Sequence, residues 1–227
     1  MIFRNRREAG RALASQLERL QVDDAVILGL PRGGVPVAFE VAMAVRAPLD
    51  VFVVRKLGVP GFEELAMGAM ASGGIRILNE SVIEGLKIPS HVIEAAARRE
   101  GLEIARRLEE YRGDRPPVVL AGRTAVLVDD GLATGATMRA AVAAVRVLSP
   151  ARVIVGVPVA SPVAVDEFAD LVDEMVCVST PDPLGSVGAW YADFAQTTDG
   201  EVCELLQSAW LLAPPVTATS GRLLDEQ

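Results

Sequence analysis

Four short apolar runs constrain the fold of this chain more than any other feature: "AVILGL" (25–30), "TAVLVDD" (124–130), "RVIVGVPVA" (152–160) and "EMVCVS" (174–179). Each has the length of a strand and is apolar nearly throughout, the pattern of a strand covered on both faces. Segments of helical length lie between them: one from about Val35 after "PRGG", one over 136–148 and one over 162–170. Strands alternating with helices imply a parallel sheet with right-handed crossovers and helices on both faces. The expected class is therefore α/β, with a Rossmann-like parallel core.

Further elements follow from local signals. Asn5, with Glu8 three residues on, marks a helix start running to about Leu20. "DVFVVRK" (50–56) predicts another strand, and "LAMGAMASGGIRILNE" a hairpin or two short strands around Gly73 and Gly74. Residues 90–112 predict one long helix with arginines and glutamates on its wet face, and a last helix spans about Asp199–Leu211. With 227 residues, 51% apolar but only 4% aromatic, the chain can build one core of Val, Leu, Ile and Ala. A chain of this length buries roughly 70% of its unfolded surface. We expect a single domain over 1–213 and a disordered tail over 214–227.

A net charge of −8 argues against general binding to nucleic acid or anionic membrane. The arginines Arg98, Arg99, Arg106 and Arg107 sit on one helix among glutamates that can pair with them. No apolar run approaches the ~20 residues of a membrane span. "MIFRNRREAGRALASQLERL" has no apolar signal core, so a cytoplasmic location is expected. Cys177 and Cys203 show no metal or redox spacing and read as buried thiols. His91, just after Ser90, reads as a first-turn helix residue.

The chemistry concentrates in "VLVDDGLATGATM" (126–138). An apolar strand ends in two carboxylates, Asp129 and Asp130, and a small-residue turn leads into a helix. In open parallel sheets ligands sit beyond the carboxyl ends of the strands. Ionised carboxylates only accept hydrogen bonds, so their partner is a pair of hydroxyls, a metal, or both; a ribose diol fits. Behind them, Ala133, Thr134, Gly135, Ala136 and Thr137 lie at a helix N-terminus, where free N–H groups and the helix dipole favour an anion. A diol site beside a phosphate site describes a sugar phosphate. The alternative is a plain strand-to-helix turn with a capping Asp. A Walker loop needs Gly-Lys-Ser/Thr, but Lys56 and Lys87 are the only lysines. A dinucleotide Gly-x-Gly-x-x-Gly after a strand is absent. A receiver domain needs a later strand-end lysine, and none follows Lys87.

These thirteen residues closely resemble the phosphoribosyl-pyrophosphate (PRPP) signature of type I phosphoribosyltransferases, and the likeness extends more loosely over about residues 20–180. It departs at Gly131, where the family usually has an aliphatic residue. The resemblance implies that Asp129 and Asp130 hold the ribose hydroxyls, that 133–137 hold the 5′-phosphate, and that Mg2+ is held largely by substrate and water, touching the two acids indirectly. "LPRGGVP" (30–36) resembles the family's pyrophosphate loop, in which a strained peptide before Gly-Gly turns N–H groups inward; Arg32, Gly33 and Gly34 are its candidates. "VVRKLGVPG" (53–61) resembles the Arg-Lys stretch of adenine-type enzymes, making Arg55 and Lys56 the catalytic, pyrophosphate-screening pair and about 57–74 a mobile lid. That stretch is one residue short and has Val59 where a second lysine belongs, so adenine specificity does not carry over.

Ala133 stands where 6-oxopurine enzymes carry an aspartate, which speaks against hypoxanthine or guanine as acceptor. Glu63 and Glu64 in the lid could act as a base, though exposed loop glutamates seldom do. The hood over the acceptor is expected from the terminal regions, 1–20 and 180–211, with Trp190, Tyr191 and Phe194 as candidates to stack a flat base, unless they serve core packing or a dimer contact. The implied activity is transfer of ribose 5-phosphate from PRPP to a small nitrogen heterocycle, in a protein that family precedent allows to be a homodimer. The alternative is a PRPP-binding sensor without turnover.

Overall fold

The apolar runs do become strands, and all five strands of the main sheet run parallel. The computed structural model describes residues 1–212, so the tail expected at 214–227 lies outside the described residues. The chain order is α1 (Arg6–Arg19), β1 (Ala25–Gly29), α2 (Gly34–Val45), β2 (Leu49–Val51), β3 (Val54–Val59), β4 (Phe62–Ala71), β5 (Ile75–Leu78), α3 (Glu80–Gly85), α4 (Ser90–Arg112), β6 (Thr124–Val128), α5 (Ala136–Val147), β7 (Arg152–Val159), α6 (Pro162–Ala169), β8 (Glu174–Ser179) and α7 (Asp199–Leu212). The sheet order is β2-β1-β6-β7-β8, with every neighbouring pair parallel.

Side chains alternate between two cores. Ile27 and Val126 face α1, α2 and α7, packing with Leu13, Val41 and Leu206. Leu28, Leu127 and Val155 face α5 and α6, packing with Met138, Ala144 and Phe168. Both faces are thus covered, which is why the strands are apolar without a break. Asn5 caps α1 by accepting from the Glu8 N–H at 3.0 Å, as its spacing implied.

The sheet order places β1 beside β6 although they are far apart in sequence, and the chain departs from them in opposite directions. A crevice opens at such a reversal beyond the strands' carboxyl ends. Here the two strand ends carry "PRGG" and Asp129–Asp130.

One expectation needs correction. "DVFVVRK" is not a single strand: β2 ends at Val51, and β3 begins at Val54 in a separate antiparallel sheet, β3-β4-β5. Two contacts explain the break. Buried Asp50 is held by Arg112 Nε at 2.7 Å and the Val118 N–H at 3.2 Å, while Ser72 takes over the backbone of Val53 through its Oγ at 2.9 Å and its N–H at 2.9 Å. The second sheet packs Leu57, Val59 and Met67 on Ile93, Ala96 and Ala97 of α4. The stretch 57–74, expected as a lid, is built as a hairpin. Its turn is at Pro60–Gly61, where Gly61 has φ of +80° and Pro presets the preceding angle.

The N-terminal segment is joined to residues 190–193 by backbone hydrogen bonds. The Phe3 N–H donates to Trp190 O at 2.9 Å, Ala192 N–H to Phe3 O at 2.8 Å and Asp193 N–H to Arg4 O at 2.9 Å. This short ladder lays the start of the chain along the 190–193 segment.

Candidate active site

Asp129 and Asp130 follow directly on β6, beside the end of β1. The Leu30 N–H donates to Val128 O at 2.9 Å, which clamps the two strand ends together. Contact beyond that point is close enough to dictate sequence. A Cβ on Gly33 would stand 2.2 Å from Asp130 Oδ2, and one on Gly34 would stand 2.6 Å from Val128 O and 2.9 Å from Asp129 Cα. Glycine is required at 34, where the neighbours are backbone; at 33 a side chain would have to displace the Asp130 carboxylate, and the two motifs form one surface.

The acids sit in an unfavourable place for charge. Burial pushes the Asp129 carboxyl well above the usual carboxylate range, with the neighbouring Asp130 charge adding to it. Asp130 is also pushed up by burial, and Arg6 works against that shift. Asp129 Oδ1 accepts the Asp130 N–H at 2.8 Å, and Asp130 Oδ2 accepts Arg6 Nε at 2.8 Å.

In the loop after β1 the Pro31–Arg32 peptide is cis. The Gly34 N–H donates to Leu30 O at 3.0 Å and the Val35 N–H to Arg32 O at 3.1 Å as α2 begins. Arg32 turns towards α7, where its Nη1 lies 3.3 Å from Asp199 Oδ2. Asp199 also accepts the Tyr111 hydroxyl, the main cause of its lowered pKa.

Gly135 has φ of +69°, and no side chain caps α5. The first N–H groups of α5 are therefore available to an anion, with exposed Thr134 and Thr137 beside them. A hollow of about 190 Å3 runs from Asp129 through this loop to Val187. A larger cleft of about 750 Å3 opens on the other side, between α5 and the second sheet, and shares Thr134, Ala136 and Thr137 with the hollow.

Lys56 lines that cleft, paired with Glu64 at 3.3 Å. Arg55 is its neighbour on β3 and points to the opposite face, where Glu100 of α4 holds its Nε at 2.9 Å. The pair adjacent in sequence is therefore divided between two faces, as alternation along a strand demands. Glu63 and Glu64 are exposed near the hairpin tip. His91 is in the first turn of α4, and both thiols are free, with burial pushing Cys177 up to about 11.

The aromatic cluster lies at the strand ends, with the Tyr191 ring covered, Trp190 half-buried and Phe194 37% exposed. Tyr191 is buried between Phe3 (5.7 Å between ring centres) and Phe194 (5.0 Å), and its hydroxyl donates to Asp130 O at 2.6 Å. That leaves Tyr191 no free face for a base. Trp190 packs against the same cluster and donates from Nε1 to Leu184 O at 2.9 Å. Phe194 carries the Arg6 guanidinium 3.9 Å above its ring. Gly131, the odd residue of the motif, is explained here: a Cβ would stand 2.6 Å from Val187 Cγ1, so the hood fills the space an aliphatic residue would take. Sequence reading missed Arg6. No local motif marks it, since its partner is 124 residues away.

The family model described as phosphoribosyl transferase domain matches residues 2–189. This chain belongs to that family. Two Mycobacterium tuberculosis proteins provisionally named phosphoribosyl transferases are each 47% identical to it over 208 residues, covering 92% of this chain and 47% of theirs. The chain thus spans about half the length of these curated relatives. A Thermus thermophilus crystal structure is 44% identical with a TM-score of 0.84, covering 92% of this chain and 99% of that one. The bifunctional protein PyrR of Chloroflexus aurantiacus is 35% identical over 101 residues, 44% of this chain and 50% of its own. The fold is that of a type I phosphoribosyltransferase. Among the described residues, no helix is long and apolar enough to cross a membrane, and Arg99, Arg106 and Arg107 of α4 are paired with Glu100, Glu103 and Glu110.

Proposed function

We propose that the chain transfers the ribose 5-phosphate group of PRPP to a nitrogen heterocycle, releasing pyrophosphate. One observation carries this reading: the two acids and the Gly33–Gly34 loop meet at the sheet reversal so closely that a Cβ on Gly34 would strike the β6 backbone and one on Gly33 the Asp130 carboxylate. A ligand resting there touches diol acceptors, the uncapped start of α5 and the loop before α2 together. PRPP has a diol, a 5′-phosphate and a pyrophosphate in that arrangement.

In the reaction, an acceptor nitrogen forms a bond to the anomeric carbon as the bond to the pyrophosphate oxygen breaks. The electron pair leaves with pyrophosphate, and the acceptor's proton passes to solvent or a base. Charge grows on the sugar ring and on the leaving group, so the protein's part is positioning and screening. Asp129 and Asp130 hold the diol, 133–137 the 5′-phosphate, and Gly33 and Gly34 the pyrophosphate, with Arg32. Lys56, which lines the cleft, completes the screen once the hairpin closes and excludes water, while Arg55 stays with Glu100 on the other face of β3.

Among the described residues no group of three or more His, Cys, Asp or Glu could hold a metal. Two carboxylates at a strand end fit Mg2+ bound mainly through substrate oxygens and water. When bound, magnesium neutralises pyrophosphate charge.

The reading is tested by incubating the protein with PRPP, Mg2+ and a panel of purines, pyrimidines and other nitrogen heterocycles, and measuring pyrophosphate. Base-dependent release is expected. PRPP binding with no release for any base would replace it with the sensor reading, which the pairing of Arg32 with Asp199 and of Arg55 with Glu100 would then fit.

A further inference from the structure

Arg6 is held in the site by three contacts. Its Nε donates to Asp130 Oδ2 at 2.8 Å, its Nη1 donates to Ala195 O at 2.7 Å, and its guanidinium lies 3.9 Å over the Phe194 ring. Its Nε also lies beside Gly33: a Cβ built on that glycine would stand 3.4 Å from it. The ion pair is mostly shielded, with 12% of the Arg6 side chain and 15% of Asp130 exposed. Arginine suits this place because its fork donates in two directions while its flat face stacks on an aromatic ring.

The position of Arg6 is not free. The ladder that joins Phe3 and Arg4 to residues 190–193 ends two residues before it, and Asn5 then caps α1. Residues 190–193 and the N-terminal segment are thus joined, and Arg6 is the side chain that ties this unit to the acid. Tyr191 makes a second tie, from its hydroxyl to the Asp130 carbonyl.

The arrangement also selects carboxylate oxygens. Asp129 spends Oδ1 on the Asp130 N–H, and Asp130 spends Oδ2 on Arg6. One oxygen of each acid has no hydrogen-bond partner among the described residues, and both acids are half-buried rather than sealed in. Two such acceptors on adjacent residues match two neighbouring hydroxyls. An ion pair this shielded is weak evidence for stability on its own, because desolvation offsets most of the attraction. Orientation is the better account of it.

We propose that Arg6 is the positioning residue of the ribose site: it pins Asp130 so that one carboxylate oxygen faces the sugar diol, and it sets the hood and the diol acceptor in register. This rests on the assignment of Asp129 and Asp130 to the ribose.

The test is a double-mutant cycle on PRPP affinity, measured by calorimetry with Mg2+ for wild type, Arg6→Gln, Asp130→Asn and the double variant. Inorganic phosphate serves as a second probe, because it needs the 134–137 loop but no diol. Arg6→Gln should weaken PRPP at least tenfold, change phosphate affinity less than twofold, and add nothing further in the Asp130→Asn background. Arg6→Lys, which keeps the charge but not the fork, should fall between wild type and Arg6→Gln. If Arg6→Gln is poorly folded, Phe194→Leu removes the platform under the guanidinium and should give a smaller, PRPP-selective loss. Unchanged PRPP affinity, additive losses in the cycle, or equal loss of both probes would overturn the role of Arg6 while leaving the ribose site standing. Failure of wild type itself to bind PRPP would overturn the ribose assignment, and the role of Arg6 with it.

Discussion

The two sides of the crevice are built by different means. The β6–α5 side is one uninterrupted stretch of chain: strand, two acids, turn, uncapped helix. The other side is assembled from the β1–α2 loop, the N-terminal segment, the 187–195 segment and the start of α7, and its contacts span 61 to 189 residues. The charges differ as well. The first side holds acids that burial disfavours, with Arg6 offsetting this at Asp130 alone, whereas on the second side Arg32 is already paired with Asp199. On the proposed reading, hydroxyls of the ligand meet the first half and its negative charge the second.

The contrast is broken most severely where the halves touch. Gly34→Ala puts a Cβ against the backbone of β6, which cannot swing aside. A cost of about 1–3 kcal/mol is expected for such overpacking, with PRPP affinity lost, as thermal unfolding and calorimetry would read. Gly131→Ala is the milder counterpart, since its clash is with the Val187 side chain. It should destabilise by about 1 kcal/mol, and Val187→Ala in the same chain should recover most of the loss. No recovery would mean that the hood does not set the residue at 131.

The acidic half makes a prediction of opposite sign. Asp129→Asn keeps an acceptor for the Asp130 N–H but removes the disfavoured charge, so the ligand-free protein should gain stability, about 2–4 °C in Tm for each ~1 kcal/mol relieved. Because the folded-state pKa of Asp129 is raised above the unfolded one, wild type loses stability as pH rises through the folded value. The advantage of Asp129→Asn should be full above that value and shrink as pH falls towards the ordinary carboxylate range. An advantage independent of pH would contradict the assigned cause.

The smallest effect is expected on the second half. Asp199→Asn frees Arg32 from a pair about a third exposed, worth no more than about 1 kcal/mol. Affinity for magnesium pyrophosphate should rise by a few-fold at most.

What the sequence discloses follows the same division. The β6–α5 motif could be read because its parts are neighbours in the chain and its apolar run has a single structural meaning. The helix bounds were legible through caps such as Asn5. The break after Val51 was not, because its causes, Arg112 and Ser72, lie elsewhere in the chain. Arg6 was invisible for the same reason. Tyr191 was visible as an aromatic at the right end of the molecule, but nothing local says that Phe3 and Phe194 cover its ring. Gly131 looked like a departure until Val187 was seen in its place.

The central claim is that Asp129 and Asp130 bind the diol of PRPP at the sheet reversal. Its most direct test is a calorimetric titration of PRPP with Mg2+ into wild type and the Asp129→Asn/Asp130→Asn variant. Saturable binding to wild type and its loss in a variant that melts no lower than wild type is the predicted result. Equal binding by both, or no binding by folded wild type, would contradict it.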